Sequence, residues 1–398
     1  MIKISKMQLI NNFFKPFTRV NIFRILSKLV SRVQDIFVTI FIVHGKEKQS
    51  QSDISILFFG KKDSLAYLSE IVYENDPSIE RISTIFIWGI KRKLNYYSKD
   101  VDMVVVKTDR FFSNFLTKKG FIIIPEWIEM SMTIPGNFQN LVETLGSSAK
   151  KDIQTIQKYD FSYEISNDSE KLDFFYFKMC LPYMMKRHGK LALFNLIDYE
   201  DVNRNFRRGF LLFVKENEKY IAGSVIIMRK KIAYPVYMGI LDDDLYLRQG
   251  VGASLYYFPL IWANKNNIKK INFGNTRTFL NSGDFQFKRK WGMTVENSNV
   301  FFGIYGLKMN PNSADKVMNL LENHPTIYTN GVDLKGLVVR QQPLTSQNID
   351  TIWKNYFTEG LSYISIFSPY CFENKLKETV RSRYKDRIIL LNAMEKIN

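Results

Sequence analysis

The chain has 398 residues, 45% of them hydrophobic and 15% aromatic, two cysteines, and 56 Lys and Arg against 39 Asp and Glu, for a net charge of +17. Such apolar content excludes a disordered or low-complexity chain, and the length exceeds one ordinary core, so two domains are expected. Cys180 and Cys371 lie far apart, and His44, His188 and His324 are isolated, which argues against a disulfide scaffold or a metal site and for cysteines that act as buried apolar residues in a reducing compartment. The positive charge suits a polyanionic partner (nucleic acid, anionic lipid, or a phosphate-rich cofactor), or else reflects a basic background.

In chain order, residues 17–35 come first. Phe17, Val20, Phe23, Leu26, Leu29, Val30 and Val33 mark one helical face, and Arg24, Lys28 and Arg32 line another. This is a basic amphipathic pattern that either lies on an anionic membrane or docks on the protein. The apolar run Ile36–Val43 is far shorter than the roughly 20 residues of a membrane span. Basic residues recur through the segment, unlike a signal peptide. The expectation is a basic arm over residues 1–45 on a cytoplasmic chain, with peripheral contact at the inner membrane surface through residues 17–43.

Residues 53–140 read as a small α/β unit. Strands are predicted at Ile54–Phe59, Ile82–Trp88, Val101–Val106 and Phe121–Ile124, with helices through Leu65–Val72 and Phe111–Lys119. From residue 147 the character changes. Ser147 or Ser148 is placed to cap a helix carrying Lys150, Lys151 and Lys158, and a longer helix spans Asp168–His188 with an interruption at Pro182. Phe210–Lys215 and Tyr220–Arg229 form a hairpin about Glu216-Asn-Glu218. Strand Ile232–Ile240, loop Leu241–Arg248, helix Gly250–Asn266 and strand Lys270–Phe273 follow. The tail adds strands at Ile327–Tyr328, Leu337–Val339 and Tyr363–Phe367, and helices at Ser346–Phe357 and Phe372–Lys385.

The stretch from Tyr234 to Gly292 has the form of a chemical device. Two parallel strands joined by a helix need a right-handed crossover. The loop before that helix, Arg248-Gln-Gly250-Val-Gly252-Ala253, puts glycines and unpaired N–H groups where an anion such as a diphosphate can sit, unless the glycines merely ease a tight turn. Beyond the second strand come Asn275-Thr-Arg277, Gly283-Asp284 and Lys288-Arg-Lys-Trp-Gly292, cations and aromatics at a strand end, where open α/β sheets place ligands. Gly283-Asp284 reads as a turn, and the cations that follow, set beside Trp291 and Gly292, read as a ligand-facing cluster, the alternative being a solvated basic face.

Four places together resemble the GNAT acetyltransferase superfamily, in the branch related to the FemAB peptidyl and aminoacyl transferases. They are Ser148-Ala-Lys150-Lys151, Met185-Lys-Arg-His188-Gly189, Tyr237-Met-Gly239 with the Arg248–Ala253 loop, and Asn272-Phe-Gly274 with Phe287–Gly292. The resemblance implies an α/β (α+β) fold of tandem GNAT-like domains, with mixed central sheets flanked by helices. The units expected are a degenerate domain at 53–140, an acyltransferase domain at 145–310, and a C-terminal extension at 311–398 packed on one of them. The loop departs from the superfamily's usual Gln/Arg-x-x-Gly-x-Gly/Ala, since Gln249-x-x-Gly252 is followed by Ser254 at the last position. Pro259 falls inside the helix, where it is expected to kink.

The implied chemistry is attack of an amine on an activated acyl carbonyl, which needs positioning, a proton acceptor and oxyanion stabilisation. By similarity Lys288 serves the oxyanion or a substrate phosphate, or else pairs only with Asp284. Asp284 is the candidate base or a turn former; His188 is a candidate for proton transfer or a helix-end dipole partner. Tyr237, Gly239, Arg248, Gln249, Gly250, Gly252 and Ala253 would line the acyl-CoA site, with Tyr237 open to a core role. Lys150, Lys151, Arg277 and Arg289 would hold substrate. Acyl-CoA is the expected co-substrate, with no metal, and a small-molecule or envelope-related amine is the acceptor. Two alternatives remain: a tRNA-dependent aminoacyl transferase, and a non-catalytic module binding nucleic acid or anionic membrane.

Overall fold

The computed structural model describes residues 37–97, 100–188, 198–241, 243–298 and 303–392. The helical pattern at 17–35 lies outside them. Residues 37–43, expected as part of a basic N-terminal arm, instead belong to a strand whose Val38, Ile40 and Val43 are buried. Alternation of β-branched and aromatic residues there satisfies a sheet on both faces, which leaves only Phe37 open.

Strands β1 (Phe37–Lys46), β2 (Asp53–Gly60), β3 (Ser78–Phe86), β4 (Met103–Asp109) and β5 (Ile122–Pro125) come before residue 126. Next are β6 (Ile128–Thr133), β7 (Ser162–Ser166), β8 (Gly209–Glu216), β9 (Lys219–Arg229), β10 (Ile232–Ile240), β11 (Lys270–Thr276) and β12 (Thr294–Asn297). The chain ends with β13 (Gly303–Met309), β14 (Thr326–Asn330), β15 (Asp333–Val339), β16 (Leu361–Phe367) and β17 (Ile388–Leu391). Two mixed sheets result, flanked by helices. The ten-stranded one has the order β17-β16-β15-β14-β5-β13-β4-β2-β1-β3, the seven-stranded one β12-β6-β11-β10-β9-β8-β7. The smaller sheet is thus one continuous stretch inserted between the two halves of the larger. β5 lies between β13 and β14, so strands far apart in sequence close the larger sheet.

The hairpin β8–β9 turns on Asn217 in the left-handed region, φ 53°, as the polar turn residues predict. Several local expectations are corrected. The Ser147–Lys158 helix starts from Gly146 without a side-chain cap. Residues 169–188 are helical throughout, with a π-turn at Phe175–Cys180 just before Pro182; the wide turn suits a proline that has no N–H to return. Pro259 lies within the Val251–Lys265 helix, which continues past it as one element. The segment after β10, predicted as loop, contains the helix Asp243–Arg248, and Gly283-Asp284, predicted as a turn, opens the helix Gly283–Lys290 capped by the Ser282 hydroxyl. Cys180 is buried, its thiol pushed up to about 12 by desolvation, whereas Cys371 is exposed, against expectation.

Candidate active site at the parting of two parallel strands

β10 and β11 are parallel, and they pair only at Ile232 with Lys270 and at Ala233 with Ile271. Beyond those two positions the strands part. Each side of the opening carries its own irregularity. On β10, Pro235 offers no amide hydrogen, and the register against β9 slips between Pro235 and Tyr237. On β11, the register against β6 slips between Asn272 and Asn275, around Gly274 at φ 81°.

The Asn272-Phe-Gly274 motif thereby acquires a physical reading. The Asn272 side-chain oxygen accepts the Gly274 amide at 2.8 Å and closes the bulge, while its amide group donates to buried Glu129 at 2.7 Å. Ser298 bridges Glu129 and the Asn275 side chain at 3.3 and 3.0 Å. Lys288 reaches the same place: its ammonium nitrogen donates to the Asn275 carbonyl at 3.1 Å and to the Asp284 carboxylate at 3.2 Å. Lys288 is only 4% exposed, and burial pulls its pKa below the ordinary lysine value against the opposing charge of Asp284. The Asp284 side chain, one helical turn away, is 54% exposed. The cationic motif is the last turn of this helix. Gly292, at φ 73°, donates to the Arg289 carbonyl and Met293 to that of Lys288, a Schellman ending that fixes the Trp-Gly pair.

Against this helix packs Tyr256 of the Val251–Lys265 helix. Its ring lies 4.8 Å from Phe273, 4.9 Å from Phe287 and 6.4 Å from the buried Trp291. Desolvation first, and the negative charge of Asp284 second, hold its phenol above the usual range, so the group keeps its proton. Asp284, Lys288 and Tyr256 therefore come together beside the parting strands. Tyr256 was missed in the sequence because an aromatic in an apolar helix reads as core.

The remaining candidates divide. Tyr237 accepts from Asn205 at 3.4 Å and faces the 169–188 helix rather than Lys288. Gly239 is a packing position: a Cβ there would stand 2.5 Å from the Cys180 nitrogen. Gly250, at φ 81°, is the N-cap of the Val251–Lys265 helix and abuts Thr155, while Gly252 abuts Leu247. Arg248 is exposed, Ala253 is buried, and the Gln249 side-chain oxygen is buried without a hydrogen-bond partner. Lys150 donates to the Glu143 carbonyl and Lys151 is exposed. Arg289 turns away, donating to Gln286 and to the Lys354 carbonyl of the Ser346–Tyr356 helix. The His188 side chain and Gly189 lie outside the described residues.

Arg277, just past β11, stands at the seam of the two sheets. It pairs with Glu126 at 3.3 Å and lies between the rings of Tyr67 and Trp127, 3.9 and 3.7 Å from their centroids. Glu126 and Trp127 are the two residues linking β5 to β6, so the guanidinium fastens one sheet to the other. Arg277 also borders an apolar cavity of about 80 Å³ between Tyr67, Met103, Ile124, Tyr305 and Leu320.

No family model matches the chain, and no curated protein matches it. Among solved structures it is similar to L-PGS from Bacillus licheniformis, at 12% identity over 70% of this chain and 88% of that one, TM-score 0.32. FemX is similar at 12% identity over 69% and 85%, TM-score 0.33. A GCN5-related N-acetyltransferase from Kribbella flavida is similar at 8% identity over 85% and 76%, TM-score 0.27.

Proposed function

We propose that the chain transfers an acyl group from an activated donor to a primary amine. The observation that supports this reading is the parting of β10 and β11 after two paired residues, beside Asp284, Lys288 and Tyr256. An acyl donor entering between the strands presents its carbonyl to that cluster. The amine nitrogen bonds to the carbonyl carbon and the bond to the leaving sulfur or oxygen breaks. The exposed Asp284 carboxylate takes the proton lost by the amine, and the protonated Tyr256 phenol donates to the leaving atom. Lys288 holds the end of β11 against the helix and supplies positive charge near the developing oxyanion. Acyl-CoA is the donor of the first reading. An aminoacyl-tRNA is the second, favoured by the net charge of +17 and by glycines at Gly250 and Gly252 that abut protein side chains.

The test combines binding and turnover. Acyl-CoAs and bulk aminoacyl-tRNA are titrated while the thermal midpoint is followed, because a ligand of the folded state raises it by mass action. Tyr256→Phe and Asp284→Asn are then assayed with the donor that binds, and each is expected to lower kcat about 100-fold, the ordinary size of a general acid–base effect. No midpoint shift with either donor, or full turnover in both variants, overturns the reading.

A further inference from the structure

The β3 edge of the ten-stranded sheet carries a surface that acyl transfer does not use. β3 is the outermost strand there. Phe86 at its end packs on Phe37 of β1, ring centroids 4.4 Å apart, and both stay about half exposed. Two residues on, Trp88 is 55% exposed and meets the buried Phe112 edge-on at 5.5 Å; Phe112 in turn touches Phe111, which is 77% exposed. The next element, the Ile90–Tyr97 helix, plants Ile90 and Leu94 in the core and presents Lys91, Arg92 and Tyr96 outward. Large aromatics left open in two neighbouring groups, flanked by exposed cations, are unusual on a surface that faces only water.

We propose that this edge, formed by Phe37, Phe86, Trp88 and Phe111 with Lys91 and Arg92, is a docking surface for an anionic lipid bilayer. Phenylalanine and tryptophan rings gain by entering the interfacial region of a membrane, and Lys and Arg beside them gain from its negative surface potential. The chain reaches the fold at Phe37, inside the patch, from a segment of 36 residues holding seven Lys and Arg against one Asp. The composition of those residues has the same sign as Lys91 and Arg92. A second copy of the chain is the poorer occupant, since face-to-face pairing would oppose the same cations and two molecules of net charge +17. No helix among the described residues is long and apolar enough to cross a membrane.

The test uses the full chain and vesicles of phosphatidylcholine with or without phosphatidylglycerol. The wild type is expected to sediment with the phosphatidylglycerol vesicles and not with phosphatidylcholine alone. Trp88→Ser with Phe111→Ser removes the rings, and Lys91→Gln with Arg92→Gln, at exposed positions, removes the charges. Each pair is expected to weaken partitioning about tenfold, on the scale of one to two interfacial charges or anchors, with transfer to a soluble amine unchanged. Unchanged partitioning in both pairs overturns the proposal. So does a lipid-free dimer of the wild type that the Trp88→Ser, Phe111→Ser pair dissolves, because a second copy then owns the surface.

Discussion

Gly239 of β10 lies against Cys180 so closely that a methyl group on it would come within 2.5 Å of the Cys180 nitrogen and 2.6 Å of its α-carbon. The π-turn and the strand that borders the opening are thus in backbone contact, and β10 can leave β11 without losing support on its other face. Gly239→Ala is expected to destabilise the fold by about 2 kcal/mol, the usual scale of an overpacked core, because backbone rather than a side-chain tip must yield. The shift of the urea midpoint measures it; an unchanged midpoint would show that the π-turn moves freely.

Lys288 yields a dependence on alkaline pH. Its folded pKa lies below the unfolded value near 10.5, so between the two the unfolded chain holds a proton that the folded chain has released. Stability from this group therefore rises with pH across that window and is lowest, and flat, below the folded pKa. Relative to Lys288→Met, which has no such proton, the wild type is expected to gain stability as pH is raised from neutral toward 10.5. Parallel urea titrations of the two proteins would reveal a gap that is constant with pH if Lys288 ionises as freely as in water.

Glu164 gives the opposite limb. Hydrogen bonds from Lys171, at 2.7 Å, and then from Tyr220, also at 2.7 Å, hold its carboxyl below the ordinary value of 4.5. The stability it contributes is present above 4.5 and is lost as pH falls through the depressed folded value. Wild type and Glu164→Gln are expected to differ at neutral pH and to converge in acid. Because the carboxylate is one-third exposed, the difference is small and salt weakens it.

The bulge on β11 separates a structural effect from a functional one. Gly274 has φ 81° and open space where a Cβ would stand, so Gly274→Ala meets only the backbone penalty, about 1 kcal/mol, and Gly274→Asn less. If the bulge holds the strands apart for the donor, kcat/KM of the alanine variant drops by more than the lost stability accounts for, while the asparagine variant recovers most of it. Equal activity in all three proteins would detach the bulge from catalysis.

Local patterning made much of this architecture legible. The polar residues at 216–218 between two apolar runs mark the β8–β9 hairpin, the run at 232–240 marks a further strand, and the Ser346–Tyr356 helix announces itself with apolar spacing. Asp284 and Lys288 were legible as a motif, four apart, although their helix was not: eight residues with a glycine and an aspartate at the start look like a turn when the Ser282 cap is overlooked. Pro235 was the available sign of irregularity in β10 and went unused. The pairing of β5 with β13 and β14, and the seam at Arg277, were out of reach because they join residues more than a hundred positions apart, where no periodicity connects partners.

The interleaved strand order has a consequence for how the protein is born. When β4 and β5 leave the ribosome, their neighbour β13 has not been made, since it begins more than 170 residues further along the chain. The inserted sheet has all of its strands in hand first, whereas Met103–Asp109 must wait with an unpaired edge until Gly303–Met309 arrives. A nascent chain of this protein is therefore most exposed to mispairing late in translation, and its final third acts as the latch that ends that exposure.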